Sequence, residues 1–330
     1  MVKKKHRRMD RYWQIYHRAH TREAVDFQKN LIYTIKRLGS PWPIRKRGKP
    51  PIHCWTKMVF LVAFMVHLDC PLRLMESLAF TLKLPWREPV PDHTTIHRAL
   101  KTVPKDYLEK LLAETVKSCI RVSVWNGKEG LLAADSTGVE TDRYEKAMIA
   151  CKRRRRKKHV TIHIIAILDL MVVAAVQVTS SRTKDSPTLR RMVKQMKWAG
   201  IAETVFGGVF NADKAYDADE NYRLTYELGS QPNIKQRETS GRSRGKRFRR
   251  KAAEEFNPKI YRYRGLVESI FGASEVRMHG LHTRYRLRQT QQKWGLLTAV
   301  AWNLKTYTKL ESAAILDCQR KPILASALSK

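Results

Sequence analysis

Two apolar, β-branched runs stand almost back to back in the middle of a chain that elsewhere patterns as helix. His159 to Leu168 and Met171 to Val178 are separated only by Asp169-Leu170. Runs this short, this rich in Val and Ile and this close together predict a β-hairpin. Both flanks carry charge, and the two runs together fall short of the roughly 20 apolar residues a membrane span needs. Three more short runs supply further strands: Leu131-Leu132-Ala133-Ala134-Asp135, Val205 to Ala212, and Pro232-Asn233-Ile234. Helical patterns cover Pro187 to Trp198, Asp217 to Leu228, Asn257 to Val276 and Gln289 to Ser312. The resulting order, β-β-β-α-β-α-β-α, predicts a mixed sheet with helices packed on it.

Upstream of Gly130 the pattern is helical. Met58, Val62, Met65 and Val66 recur at helical spacing, Pro71 and Pro85 divide the stretch, and Asp92 is a good N-cap for a helix through Leu100. A further helix is predicted from Lys105 to Val122. The longest purely apolar run, Met58 to Val66, is too short to cross a bilayer, and the charged N-terminus lacks the apolar stretch of a secretion signal. The five cysteines, Cys54, Cys70, Cys119, Cys151 and Cys318, are odd in number and form no Cys-x-x-Cys pair. Reduced thiols are the expectation, in preference to a disulfide framework or to metal shared by His53-Cys54 or by His67 and Cys70. These features predict a cytoplasmic protein with no membrane association.

The charge says what such a protein meets. Among 330 residues, 65 Lys and Arg face 30 Asp and Glu, a formal net charge of +35. A polyanion is the partner that excess predicts. Lys152, Arg153, Arg154, Arg155, Arg156, Lys157 and Lys158 form an unbroken basic run. A second cluster, from Arg242 to Lys251, includes Arg247, Arg249 and Arg250. Both are embedded between core elements, which argues for phosphate clamps over solubility tails; such contacts supply affinity without reading sequence.

Against that background three acids are informative. Asp135 ends its apolar run and is followed by the small polar residues Ser136-Thr137-Gly138; Asp213 also ends a predicted strand. Strand ends in an open sheet are where side chains converge on a ligand crevice. Taken singly, each could equally be a cap or turn residue. Glu268 is placed by helix geometry. At 100° per residue Tyr263, Val267, Ile270 and Phe271 share an apolar stripe, while Tyr261, Arg264 and Glu268 share a second one about a quarter-turn away. The glutamate therefore stands at the edge of the buried face, one turn beyond an arginine that can pair with it. An ordinary surface ion pair fits that position as well.

Together these residues carry a resemblance. The run Tyr261-Arg262-Tyr263-Arg264-Gly265-Leu266-Val267-Glu268-Ser269-Ile270-Phe271 resembles the Tyr-Arg-Glu signature of DDE transposases of bacterial and archaeal insertion sequences. Asp135 within Ala134-Asp135-Ser136-Thr137 resembles the family's first aspartate, and Asp213 within Ala212-Asp213-Lys214-Ala215-Tyr216 its second. Pro91-Asp92-His93-Thr94-Thr95 is similar to a segment of the family's helical N-terminal region. One position departs: seven residues after the glutamate the family usually has Lys or Arg, and here stands Glu275, with Arg277 two places on and about 200° round the helix.

The resemblance implies a ribonuclease-H-like fold in which Asp135, Asp213 and Glu268 hold two Mg²⁺ or Mn²⁺ ions, Asp135 bridging them. Hard cations take oxygen ligands, and a pair of them roughly 4 Å apart suits in-line phosphoryl displacement. It further implies cleavage at the terminal inverted repeats of a mobile element, transfer of the freed 3′-hydroxyl into double-stranded target DNA, and action as a homodimer. Tyr261, Arg264 and Arg277 join the basic runs as expected DNA contacts. The chain then divides into a basic arm (1–50), a helical DNA-binding region (51–128), a catalytic domain (129–312) with a basic insertion around 236–256, and a tail (313–330). Recognition of element ends falls to the N-terminal helices, around Thr94-Thr95-Ile96-His97-Arg98.

Other readings separate on sequence. No histidine is followed three places later by arginine, which removes a tyrosine recombinase. Gly241 to Lys246 is one residue short of a phosphate-binding loop and follows no strand, so no nucleotide cofactor is expected. His159 and His163 read as core or surface residues of a strand, not as metal ligands. A nuclease with the same triad that cuts without joining, and a non-catalytic DNA-binding descendant, both remain open.

Overall fold

The computed structural model describes residues 2–43, 51–82, 84–86, 89–123, 125, 129–141, 159–180, 183–205, 207–237, 247–278 and 281–315, with side chains described for all of these but 2–12, 204 and 277. The basic run Lys152 to Lys158 and the part of the second cluster from Arg242 to Lys246 lie outside the described residues.

The helical half begins with α1 (Val2–Leu38), a 37-residue helix. The stretch read as a basic arm is thus a helix over most of its length, and its C-terminal half is tied down: Phe27, Leu31 and Ile35, at helical spacing, are fully buried. Next come α2 (Trp55–His67), α3 (Leu72–Thr81), α4 (His93–Thr102) and α5 (Lys105–Val122). Asp92 caps α4 as its sequence predicts, accepting from the Thr95 N–H at 2.8 Å. Helix α2 is apolar nearly all round because it is buried nearly all round. Among the described residues no single helix is long and apolar enough to cross a membrane.

The sheet follows: β1 (Leu131–Thr141), β2 (His159–Ile167), β3 (Val172–Ser180), β4 (Val209–Ala212), β5 (Gln231–Ile234) and the two-residue β6 (His282–Thr283). Its order is β3-β2-β1-β4-β5, with β6 pairing the far end of β1. The first three strands run antiparallel, and β1, β4 and β5 are parallel. Helices α6 (Ser186–Trp198), α7 (Asp219–Glu227), α8 (Arg247–Glu254), α9 (Pro258–Tyr261), α10 (Leu266–Arg277) and α11 (Arg288–Ile315) complete the chain. This is the mixed α/β sheet with a helical N-terminal region that the order of runs predicted.

Alternation along β1 assigns its two faces. Leu131, Ala133 and Val139 join an apolar cluster with α2, α10 and α11, while Leu132 and Ala134 join one with α6 and α7. The change of pattern at Gly130 marks the start of the sheet without interrupting the core: one cluster contains Phe27 of α1, Leu111 of α5, Ile164 of β2 and Leu304 of α11.

Helix α11 also covers the sheet's exposed edge. Asn303 accepts from the Val173 N–H at 2.8 Å and donates to its carbonyl at 2.9 Å. Gln292 does the same further along β3, accepting from the Val178 N–H and donating to the Val176 carbonyl. Amide side chains thus occupy ladder positions that would otherwise invite another strand.

Two expectations are corrected. Asp135 does not end its strand: β1 continues to Thr141, because antiparallel pairing with β2 holds it as far as Glu140↔His159. What ends beside Asp135 is the parallel partner, whose last pair is Ala134↔Ala212. The helix predicted from Asn257 to Val276 is three pieces, α9, a 3₁₀ turn over Arg262–Gly265, and α10. Gly265, whose helix propensity is low, sits at the junction between the 3₁₀ turn and α10.

Candidate active site

Asp213 immediately follows Ala212, the last residue of β4, and caps the 3₁₀ turn Lys214–Tyr216 by accepting from the Ala215 N–H at 3.2 Å. Asp135 immediately follows Ala134, which Ala212 faces in the parallel register. Asp213 just past the end of β4 and Asp135 within β1 therefore stand at the same level, on the carboxyl side of β4, where open α/β sheets place their ligand crevice.

Glu268 comes from the first turn of α10. Val267 and Ile270 beside it are buried against the sheet, so the glutamate itself stands outward. Arg264 links it to β1: its guanidinium donates to Asp135 Oδ2 at 3.1 Å and to Glu268 Oε1 at 2.9 Å. The arginine is one-fifth exposed and Asp135 slightly less, whereas Glu268 is 62% exposed. Both Glu268 and Asp213 lie near enough for their charges to act on Asp135, and the Arg264–Glu268 pairing read from helix spacing is present.

The electrostatics are those of a buried carboxylate with like charges nearby. Burial pushes the Asp135 carboxyl above the ordinary aspartate range, opposed by the Ser136 N–H and by Arg264, while the negative charges of Glu268 and Asp213 push it further up. Tyr261 is drawn into the same field. Burial raises its hydroxyl, Arg264 opposes, and Asp213 and Asp135 add to the rise. Behind the site Tyr216 is almost wholly buried, with no hydrogen-bond partner for its hydroxyl among the described residues. Burial first, then Asp185, Asp135 and Asp213, keeps it neutral.

Donor chemistry fits a hard divalent cation: the side chains are carboxylates, one of them half-buried and destabilised by two neighbours of like charge, a strain that a cation relieves. The spacing is that of a site neutralised by arginine. Among the described residues no three His, Cys, Asp or Glu side chains stand close enough to share one ion, and Arg264 spans the gap between Asp135 and Glu268.

The basic residues divide. Arg247 and Arg250 of α8 are exposed. Arg249 between them is not available to a phosphate: it grips Asp217 with two contacts of 2.8 and 2.9 Å and also donates to the Arg237 carbonyl. Its side chain is 12% exposed and that of Asp217 4%. A dense basic cluster in sequence hid one member whose partner lay far upstream. Arg277 is the last residue of α10, its side chain outside the described set, and Glu275 is exposed.

Sequence reading also passed over Asp185, which precedes α6. It accepts from Ser136 Oγ at 2.9 Å and lies 3.2 Å from Nδ1 of the buried His163. His163 is a core residue, as read, with Nε2 hydrogen-bonded to Thr179 Oγ1 at 2.7 Å. Asp185-Ser186-Pro187 announces only a helix start, so no local signal marked this aspartate.

Residues 126–304 match the family described as Transposase DDE domain, more than half of the chain, and the chain belongs to that family. Comparison with curated proteins finds no significant match. Among solved structures the chain is similar to a Mos1 transposase paired-end complex with left transposon end, at 11% identity over 72% of this chain and 83% of that one, with a TM-score of 0.25. It is also similar to a pre-cleavage Mos1 transpososome, at 9% identity over 82% of both chains, again with a TM-score of 0.25.

Proposed function

We propose that this protein is an active transposase of a prokaryotic insertion sequence, cutting DNA at the element's ends and joining the freed 3′-hydroxyl to target DNA. The observation that supports this reading is that Asp213 and Glu268, from distant parts of the chain within the DDE domain match, both act electrostatically on Asp135 of the central strand β1. The three carboxylates would hold two Mg²⁺ or Mn²⁺ ions, which when bound stabilise the attacking and leaving oxygens of an in-line displacement.

The chain's own residues do the rest. Arg264 neutralises Asp135 and Glu268 in the resting protein, and its fork geometry suits it to take a DNA phosphate when those carboxylates find other partners. Tyr261 lies in the same field and offers a neutral hydroxyl to the DNA backbone. Arg247 and Arg250 supply exposed positive charge on α8, and the run Lys152 to Lys158 adds more. In the first reaction water displaces the 3′-oxygen at the element end; in the second the freed 3′-hydroxyl attacks a target phosphodiester and displaces the target's own 3′-oxygen, so no covalent protein–DNA intermediate is needed. Two ends must be brought together, which suits a homodimer acting on chromosomal DNA in the cytoplasm. The helical region 51–128 engages the end sequences.

The test is strand transfer of a pre-cut end into plasmid DNA with Mg²⁺ or Mn²⁺. Joined products are expected, and Asp213→Asn abolishes them. Cutting without joining would instead mean a nuclease, and binding with neither reaction a non-catalytic descendant.

A further inference from the structure

We propose that Asp185 is a positioning residue for the carboxylate of Asp135, acting through Ser136 and braced by the buried His163. The inference rests on the functional reading above and adds a residue outside its triad.

The geometry is a chain of contacts crossing three strands. Thr179 on β3 bonds His163 on β2 at 2.7 Å, and His163 Nδ1 lies 3.2 Å from Asp185 Oδ1. The same Oδ1 accepts the Ser136 hydroxyl at 2.9 Å, and the Ser136 N–H donates to Asp135 Oδ1 at 2.8 Å. Ser136 and His163 are direct partners in the β1–β2 register, so their side chains share the sheet face that carries α6. Asp135, one residue earlier, points to the opposite face, towards α10. Ser136 therefore holds the catalytic carboxylate from in front, through its backbone, while Asp185 holds Ser136 from behind.

Three observations separate this from routine helix capping. Asp185 stands at the N-cap position of α6, yet its side chain makes no capping hydrogen bond. Among the described residues no Lys or Arg pairs with it; the nearest basic side chain to its carboxylate is the fully buried ring of His163. Its carboxyl is held below the ordinary range by the His163 contact first, against burial, with Ser136 adding to the lowering. A charged acceptor is thus maintained on the face of the sheet behind Asp135, with a buried ring and a serine as its partners. Groups that orient a ligand from behind in this way typically alter metal affinity or activity by about 10–100-fold when removed.

The experiment titrates Mn²⁺ calorimetrically into the protein and, separately, measures the Mn²⁺ dependence of end cleavage. Asp185→Asn and Ser136→Ala are each expected to weaken Mn²⁺ binding by about 10-fold and to raise the half-saturating Mn²⁺ for cleavage to match, with melting temperature and DNA affinity unchanged. The double variant is expected to lose no more than either single one, since both cut the same chain, and Ser136→Thr, which keeps the hydroxyl, to restore parental affinity. Unchanged Mn²⁺ affinity in both single variants would overturn the proposal, as would losses that multiply in the double variant. Loss confined to Asp185→Asn with Ser136→Ala at parental affinity would also overturn it, by making Asp185 a direct ligand. An unmodified protein that neither binds Mn²⁺ nor cleaves would overturn the functional reading itself, and this inference with it.

Discussion

Ala134 of β1 and Ala212 of β4 face each other as the last parallel pair between their strands, and each is followed at once by an aspartate. Two carboxylates more than 70 positions apart in sequence thereby emerge side by side, at a level set by backbone hydrogen bonds. The two alanines are both fully buried.

Replacing Asp135 by asparagine should separate activity from stability. Cleavage and strand transfer should fall by at least about 100-fold, as when a group acting on transition-state charge is removed, while DNA binding persists. Because the environment raises the Asp135 carboxyl, its ionised form costs the native state stability above that raised value. Asparagine removes the cost, so denaturation at pH 8 should show the variant at least as stable as its parent. The advantage should shrink as the pH falls and the parental carboxyl takes up its proton.

Arg264→Ala leaves Asp135 and Glu268 facing each other without their shared cation. A stability loss of about 1 kcal/mol is expected, Glu268 being well exposed to solvent. Urea midpoints with and without Mg²⁺ check this: the divalent ion should restore more stability to the variant than it adds to the parent.

Asp217 and Arg249 form the most deeply buried ion pair outside the site, with Tyr222 and the Arg237 N–H also on the carboxylate. Asp217→Ala strands a buried guanidinium and should cost about 3 kcal/mol in chemical denaturation. Burial raises the Asp217 carboxyl, but Arg249, the Arg237 N–H and Tyr222 outweigh it and the net shift is downward. The pair's contribution is therefore present above the ordinary aspartate value and disappears as the pH drops through the depressed one. The difference between parent and variant should be full at pH 6 and narrow below about pH 4.

Gly295 is where α11 crosses β3 most closely: a Cβ there would stand 2.5 Å from Val178 Cγ2. Gly295→Ala should lower stability by about 1–3 kcal/mol through overpacking, despite alanine's better helix propensity. Adding Val178→Ala should recover part of that loss, and a double-mutant cycle on thermal melts reads the coupling.

Much of this was legible from residue patterns. The hairpin, the helices over Lys105 to Val122 and Pro187 to Trp198, the cap at Asp92 and the Arg264–Glu268 pair all follow from local periodicity, and local periodicity survives folding. Asp135 was read as a strand terminus because its apolar run stops there, whereas the strand continues on hydrogen bonds that polar residues make equally well. The break at Gly265 was smoothed over by a helical wheel that assumes one constant turn per residue. Arg249 could not be told from its basic neighbours, since only the fold brings Asp217 to it. Asp185 and His163 depend on register across β1 and β2, information that appears only once the strands are paired.

The covering of β3 by Asn303 and Gln292 of α11 has a consequence for biosynthesis. Phe27, Leu31 and Ile35 are synthesised well before the helix that shares their core. A nascent chain halted before residue 288 carries an open sheet edge and uncovered apolar side chains together, the combination that chaperones bind and proteases clear. Frameshifted or truncated copies of the gene should therefore leave little folded protein behind to compete for the DNA.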